Sequence, residues 1–148
     1  MGLAIISYIY VETIKNLNNF FYEVFDELKC QPDTKAYIVS IFTKYKAADF
    51  DLSKDSITLT YAQAKDKRDF MIFQNLGDWI FFSQSFLPEH LNNASKEYYQ
   101  SIGRLSYYSC YQIINKQWKL FEELSDNFIP LERVTRSILQ RSGTLRIT

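Results

Sequence analysis

The stretch GDWIFFSQSFLPEHL, Gly77 to Leu91, holds the residues with the best claim to chemistry. It is largely apolar, but Asp78 stands near one end and Glu89-His90 at the other, and His90 is the only histidine of the chain. Two kinds of chemistry suit that set. A carboxylic acid enclosed by apolar side chains holds its proton more tightly, which suits a general acid or base. Asp78, Glu89 and His90 also make the polar corner of a ligand or metal pocket between helices, lined by Trp79, Phe81, Phe82, Phe86 and Trp118. A plainer account competes with both. Glycine closes a helix cheaply and a following aspartate caps the next, and this is the favoured reading of Gly77-Asp78. Pro88-Glu89 likewise reads as an ordinary first helical turn, with an acid near the positive end of the dipole.

Metal chemistry finds little support in the spacing. A di-iron bundle uses a Glu-x-x-His from each of two helices, and the chain contains no such motif. Structural zinc wants several Cys or His together, whereas Cys30 and Cys110 stand far apart. The remaining route is convergence of Asp78, Glu89 and His90 with Glu122, Glu123 and Asp126. No Gly-x-Ser-x-Gly elbow accompanies the serines, and the 4 glycines form no phosphate loop. No catalytic residue is assigned, no cofactor is expected, and the reading leans away from an enzyme.

The second informative stretch is YYQSIGRLSYYSCYQ, residues 98–112. Gly103, Ser106 and Cys110 share one helical face and are small, so they admit a close neighbour. Glycine inside a helix costs about 1 kcal/mol against alanine, which implies a packing reason. Tyr98, Tyr99, Tyr107, Tyr108 and Tyr111 surround the same helix, more tyrosines than one core face holds. Tyrosine-rich patches are favoured at interfaces. Tyr98, Tyr99, Gly103, Tyr107 and Tyr111 are therefore the interface candidates, level with the alternative that they edge the core.

These residues need helices to position them. Apolar residues at steps of three and four mark a helix from Ile5 to Leu28, ended by Pro32. Asp33 reads as the cap of the next helix, which carries Ile38, Ile41 and Phe42. Ala47 to Ser56 is the main loop. Ser56 to Tyr61 alternates like a strand but has no sheet to join, so it is taken as the lead-in to a helix. Phe70 to Leu87 is apolar nearly all round, as a central helix is, with Asn75 and Gly77 as its weak points. Ser95 caps the tyrosine-rich helix, a short segment follows from Trp118 to Leu124, and Pro130 starts the last helix. Ser142 to Thr148 is a tail, ordered or not. The expected fold is all-α: one domain over residues 1–148, a bundle of about six helices around an aromatic-rich core.

Composition limits the partners. The chain has 148 residues, 12 Phe and 11 Tyr, with a formal net charge of zero. Nucleic acid needs a basic face, and only Arg133, Arg136, Arg141 and Arg146 cluster; a solvated last helix suits them better. No run approaches the roughly 18 apolar residues of a membrane span, and the first residues lack the marks of a signal peptide. Two cysteines make no disulfide framework, so a reducing, cytoplasmic setting is expected.

The order Gly77-Asp78, Phe81-Phe82-Ser83, Phe86-Leu87-Pro88-Glu89, Tyr98-Tyr99, Gly103 and Tyr107 resembles the pattern of a family of uncharacterised bacterial helical proteins. Tyr37-Ile38-Val39 and the run Phe121 to Phe128 resemble its flanks, and the similarity covers roughly Tyr37 to Leu139. Gln84-Ser85 and Ser106 depart from it. The resemblance implies a small helical protein and no activity. It singles out Gly77, Asp78, Phe86, Pro88, Glu89, Tyr99 and Gly103. The reading that results is a protein acting through protein–protein interaction, most simply as a homo-oligomer, with a ligand or metal pocket near Asp78, Glu89 and His90 as the alternative.

Overall fold

The computed structural model describes residues 17–44, 53–86, 95–114 and 119–141, without the side chains of Leu17, Asn18 and Phe86. Among the described residues the chain is all-α. Seven helices follow one another: α1 Leu17–Glu27, α2 Pro32–Lys44, α3 Lys54–Lys67, α4 Phe70–Phe86, α5 Lys96–Ile113, α6 Leu120–Asp126 and α7 Phe128–Arg141. None is long and apolar enough to cross a membrane.

Local chemistry sets the helix ends. In α1, Phe20 and Val24 bury at a spacing of four, as one helical face requires; residues 5–16 of the expected helix lie outside the described residues. Helix α2 begins at Pro32, not after Asp33. Proline suits a first helical position because its missing N–H has no partner there. The Gln31 carbonyl accepts from the Lys35 N–H at 3.0 Å, and Asp33 sits in the first turn instead of capping it. The Ser53 hydroxyl caps α3 by accepting from the Ser56 N–H at 3.3 Å. The loop expected over Ala47 to Ser56 has therefore ended by Ser53, and the alternating stretch after Ser56 is already helix.

Arg68 closes α3 in the left-handed conformation, φ 49°, and the Asp69 carboxylate accepts from the Ile72 N–H to open α4. Helix α4 then runs unbroken through Asn75, Gly77 and Asp78, so the favoured cap reading of Gly77-Asp78 is corrected. Ser95 caps α5 as expected, accepting from the Tyr98 N–H at 3.1 Å. Helix α7 starts at Phe128, two residues before Pro130. Its first ladder bond runs from the Leu131 N–H to the Asn127 carbonyl, so the proline's missing N–H leaves no gap.

All seven helices contribute to one apolar cluster. Phe20, Phe42, Phe81, Phe82, Phe121 and Phe128 are fully buried in it with Tyr99 and Tyr107. Their rings meet edge-on or tilted, with centroids 5.1 Å apart for Phe20–Phe42, 5.2 Å for Phe42–Phe82 and 5.5 Å for Phe81–Phe128. Such pairs add about 0.5–1.5 kcal/mol each beyond their buried area.

Helices α4 and α5 run antiparallel. Tyr107 stands over Gly77, while the Cys110 thiol lies 3.8 Å from the Phe70 carbonyl. Helix α7 is antiparallel to α5 as well: Phe128 sits on Gly103, and Lys96 acts on Glu132. It follows that α7 runs parallel to α4.

Candidate functional site

Both helical glycines are places where a ring takes the space of a side chain. A Cβ on Gly77 would stand 2.7 Å from the Tyr107 ring, and one on Gly103 would stand 2.6 Å from Phe128. The first contact explains why a Gly-Asp step sits mid-helix. The ring of Tyr107 crosses α4 at the missing side chain, and its hydroxyl reaches the next residue. That hydroxyl donates to Asp78 Oδ1 at 2.6 Å. Tyr37 of α2 donates to the same carboxylate, 2.8 Å from Oδ1 and 2.9 Å from Oδ2. Gln74, one turn before Asp78, donates to the Tyr37 hydroxyl at 3.1 Å.

Asp78 is 1% exposed. A buried carboxylate needs donors, and two phenols from two other helices supply them. Burial and the adjacent Asp78 charge push the Tyr107 hydroxyl well above its ordinary value, so it remains a donor. The cluster ties α2, α4 and α5 together in the interior. Proton transfer to a substrate needs a path to that carboxylate, and neither groove described below is lined by Asp78.

The other sequence candidates are dispersed. Glu89, His90, Pro88 and Trp118 lie outside the described residues. Glu122, Glu123 and Asp126 line an outer groove of about 600 Å³ beside the start of α2. There Glu123 accepts from the Gln31 N–H at 3.1 Å and from the Thr34 hydroxyl, which anchors the N-terminus of α2 to α6. Burial, then the Glu123 charge, pushes the neighbouring Cys30 thiol up to about 11. Among the described residues no three acids, cysteines or histidines are grouped to hold a metal ion.

A second groove, of about 490 Å³, lies between α3 and α5 and carries Lys65 and Arg68 with Tyr61, Ser109 and Gln112. Both cations are exposed at the C-terminal end of α3, where the helix dipole favours them.

On α5 the interface candidates separate by face. Tyr99, Gly103 and Tyr107 are buried inside the chain. The small face formed by Gly103, Ser106 and Cys110 is likewise interior, and Gly103 receives Phe128 of α7, a neighbour from the same chain. Tyr98 is half-buried, hydrogen-bonded to the Thr58 hydroxyl, with Lys54 5.5 Å from its ring centre. Tyr111 is half-buried beside Tyr108, centroids 6.3 Å apart, and Glu122 acts on its hydroxyl.

The outward stripe is Ser101, Arg104, Leu105, Tyr108 and Gln112, with Leu105 46% and Tyr108 42% exposed. Sequence reasoning named neither Leu105 nor Tyr108 as a site residue. Their steps of three and four, opposite Tyr99, Gly103, Ser106 and Cys110, were the available signal. It also missed Tyr37 and Gln74, whose link to Asp78 spans separate segments.

Comparison of the chain with protein-family models, with curated proteins and with solved structures finds no match. The family resemblance carried by Gly77-Asp78 and the tyrosines gains no support there.

Proposed function

We propose that the protein acts by binding a protein partner, most simply a second copy of itself, through the outward stripe of α5. The observation that carries this reading is the exposure of Leu105 and Tyr108 one turn apart on the outer face of α5. Other faces of that helix already hold Phe128, Asp78 and the segment around Thr58.

The stripe is also self-complementary. In an antiparallel pairing about a two-fold axis, residue i of one helix faces a fixed partner j, and j faces i. Centred between Leu105 and Tyr108, that pairing lays each Leu105 on the other copy's Tyr108 and each Ser101 opposite Gln112. The Leu105–Tyr108 pair meets itself, the polar ends meet each other, and the exposed Arg104 borders the pair. Tyr111 extends the aromatic edge beside Tyr108. A net charge of zero leaves no overall repulsion between copies. Two helix faces make a small interface, so the association belongs in about the micromolar range.

Native mass spectrometry and sedimentation at about 50 micromolar test the reading. A dimer that dissociates on Leu105→Glu or Tyr108→Glu, with unchanged helical content, is the expected result. A dimer indifferent to both changes removes this face from consideration.

A further inference from the structure

On α4 and α7, which pack against each other and against α5, the fold buries oxygens that make no hydrogen bond. Glu132 is 1% exposed, and neither of its carboxylate oxygens has a hydrogen-bond partner. Arg136, one turn further along α7, stands 3.4 Å from Oε1 as an ion pair without hydrogen-bond geometry. On α4, Gln84 Oε1 and Ser85 Oγ are buried and equally unpartnered.

Helix geometry brings these groups to one level. Phe81 of α4 and Phe128 of α7 touch, with ring centroids 5.5 Å apart. The two helices run parallel. Ser85 and Glu132 each lie four residues beyond that contact, so both stand about one turn along from it. Each unpartnered oxygen of Glu132 and Gln84 can accept, and an ionised carboxylate adds no donor. Buried groups of this kind are costly, most of all when charged. A single proton on Glu132 changes the balance. It removes the buried charge and adds an O–H donor where the ionised carboxylate has none. It also needs no cavity, unlike a metal ion or an amine.

We propose that Glu132 is a proton-binding site that closes the α4–α5–α7 junction when its carboxyl is neutral and loosens it when the carboxyl ionises. The charges around it support this placement. Burial raises the Glu132 carboxyl above its ordinary 4.5; Arg136 and Arg133 on its own helix and Lys96 on α5 oppose that rise without cancelling it. Among the described residues of α4, those at this level, Gln84 and Ser85, are uncharged. On α1, Glu23 and Glu27 act on Arg141, about two and a half turns away, and Asp26 is exposed. On α6, Glu122 pairs with Lys119 and Glu123 is held by Gln31 and Thr34. Asp126 lines the outer groove.

The sign follows from the direction of the shift. The folded chain binds the proton more tightly than the unfolded chain. The contribution is therefore complete below the unfolded value near 4.5 and is lost as pH rises through the folded value.

Denaturant unfolding of the full chain between about pH 4 and about pH 8 tests the proposal, comparing wild type with Glu132→Gln, whose side chain is neutral throughout. The ratio of the variant's folding constant to that of wild type is expected to grow with pH, about tenfold per unit of carboxyl shift. A ratio that stays flat across the range overturns the proposal. Should the variant fail to fold, carbon NMR of the wild-type Glu132 carboxyl decides: a midpoint above 4.5 supports the proposal, and one at or below 4.5 overturns it.

Discussion

Asp78 shows how one residue can serve three helices. Its carboxylate takes hydrogen bonds from Tyr37 of α2 and Tyr107 of α5 while it sits at the middle of α4. Removing it strands two phenols, one of them fully buried. Asp78→Ala should therefore cost about 3 kcal/mol in urea unfolding, and Tyr107→Phe about 2 kcal/mol, because bonds to charged groups are the strong ones. Less than about 0.5 kcal/mol for Asp78→Ala contradicts this account of the cluster. Cys30 gives a chemical check at the same scale. Raised from 9.0 to about 11, it carries roughly 100-fold less thiolate near neutral pH than an ordinary thiol. Its alkylation by iodoacetamide at about pH 7.5 should be slower than that of a model thiol by a similar factor. A rate equal to the model thiol's would show that burial and Glu123 do not act on it.

The burial of Asp78 was partly legible in the sequence. A lone acid inside a long apolar run implies an enclosed carboxylate, and that implication is correct. The Gly-Asp pair also carries a stop-and-cap signal, and local signals of that kind favour a break. Tertiary packing decided otherwise, because the Tyr107 ring occupies the space left at Gly77. That ring comes from thirty residues further along, where no local pattern registers it.

At the scale of the element, end chemistry and periodicity divide the credit. Ser95 was readable as a cap because a polar loop precedes it and an apolar-periodic run follows. Ser53 does the same work for α3, but the surrounding Asp, Ser and Lys resemble loop, and the alternation after Ser56 resembles strand. The start of α7 was missed by two residues for a similar reason: proline marks the first turn without marking its first position. Both serine caps are directly testable. Ser95→Ala and Ser53→Ala should each destabilise by about 1 kcal/mol, since each removes the hydroxyl that accepts from a first-turn N–H. Equal stability of either variant and wild type, in the same unfolding assay, argues against that cap.

For the whole molecule, the class was written in the apolar period of three and four: among the described residues the structure is all-α around an aromatic-rich cluster. The arrangement of helices was not. Parallel α4 and α7 follow from contacts such as Phe81–Phe128, between residues far apart in the chain. The same limit governed the proposed interface. Excess tyrosine on α5 is visible in composition, but which tyrosines turn inward depends on where α4 and α7 lie. Tyr99 and Tyr107 turn in, and Tyr108 with Leu105 turns out. Self-association through that outward stripe is the central claim. Its most direct test is sedimentation equilibrium of wild type beside the double variant Leu105→Glu/Tyr108→Glu at matched concentrations. A dimeric wild type and a monomeric, equally helical variant are the predicted pair of results. A wild type that remains monomeric at about 50 micromolar contradicts the claim.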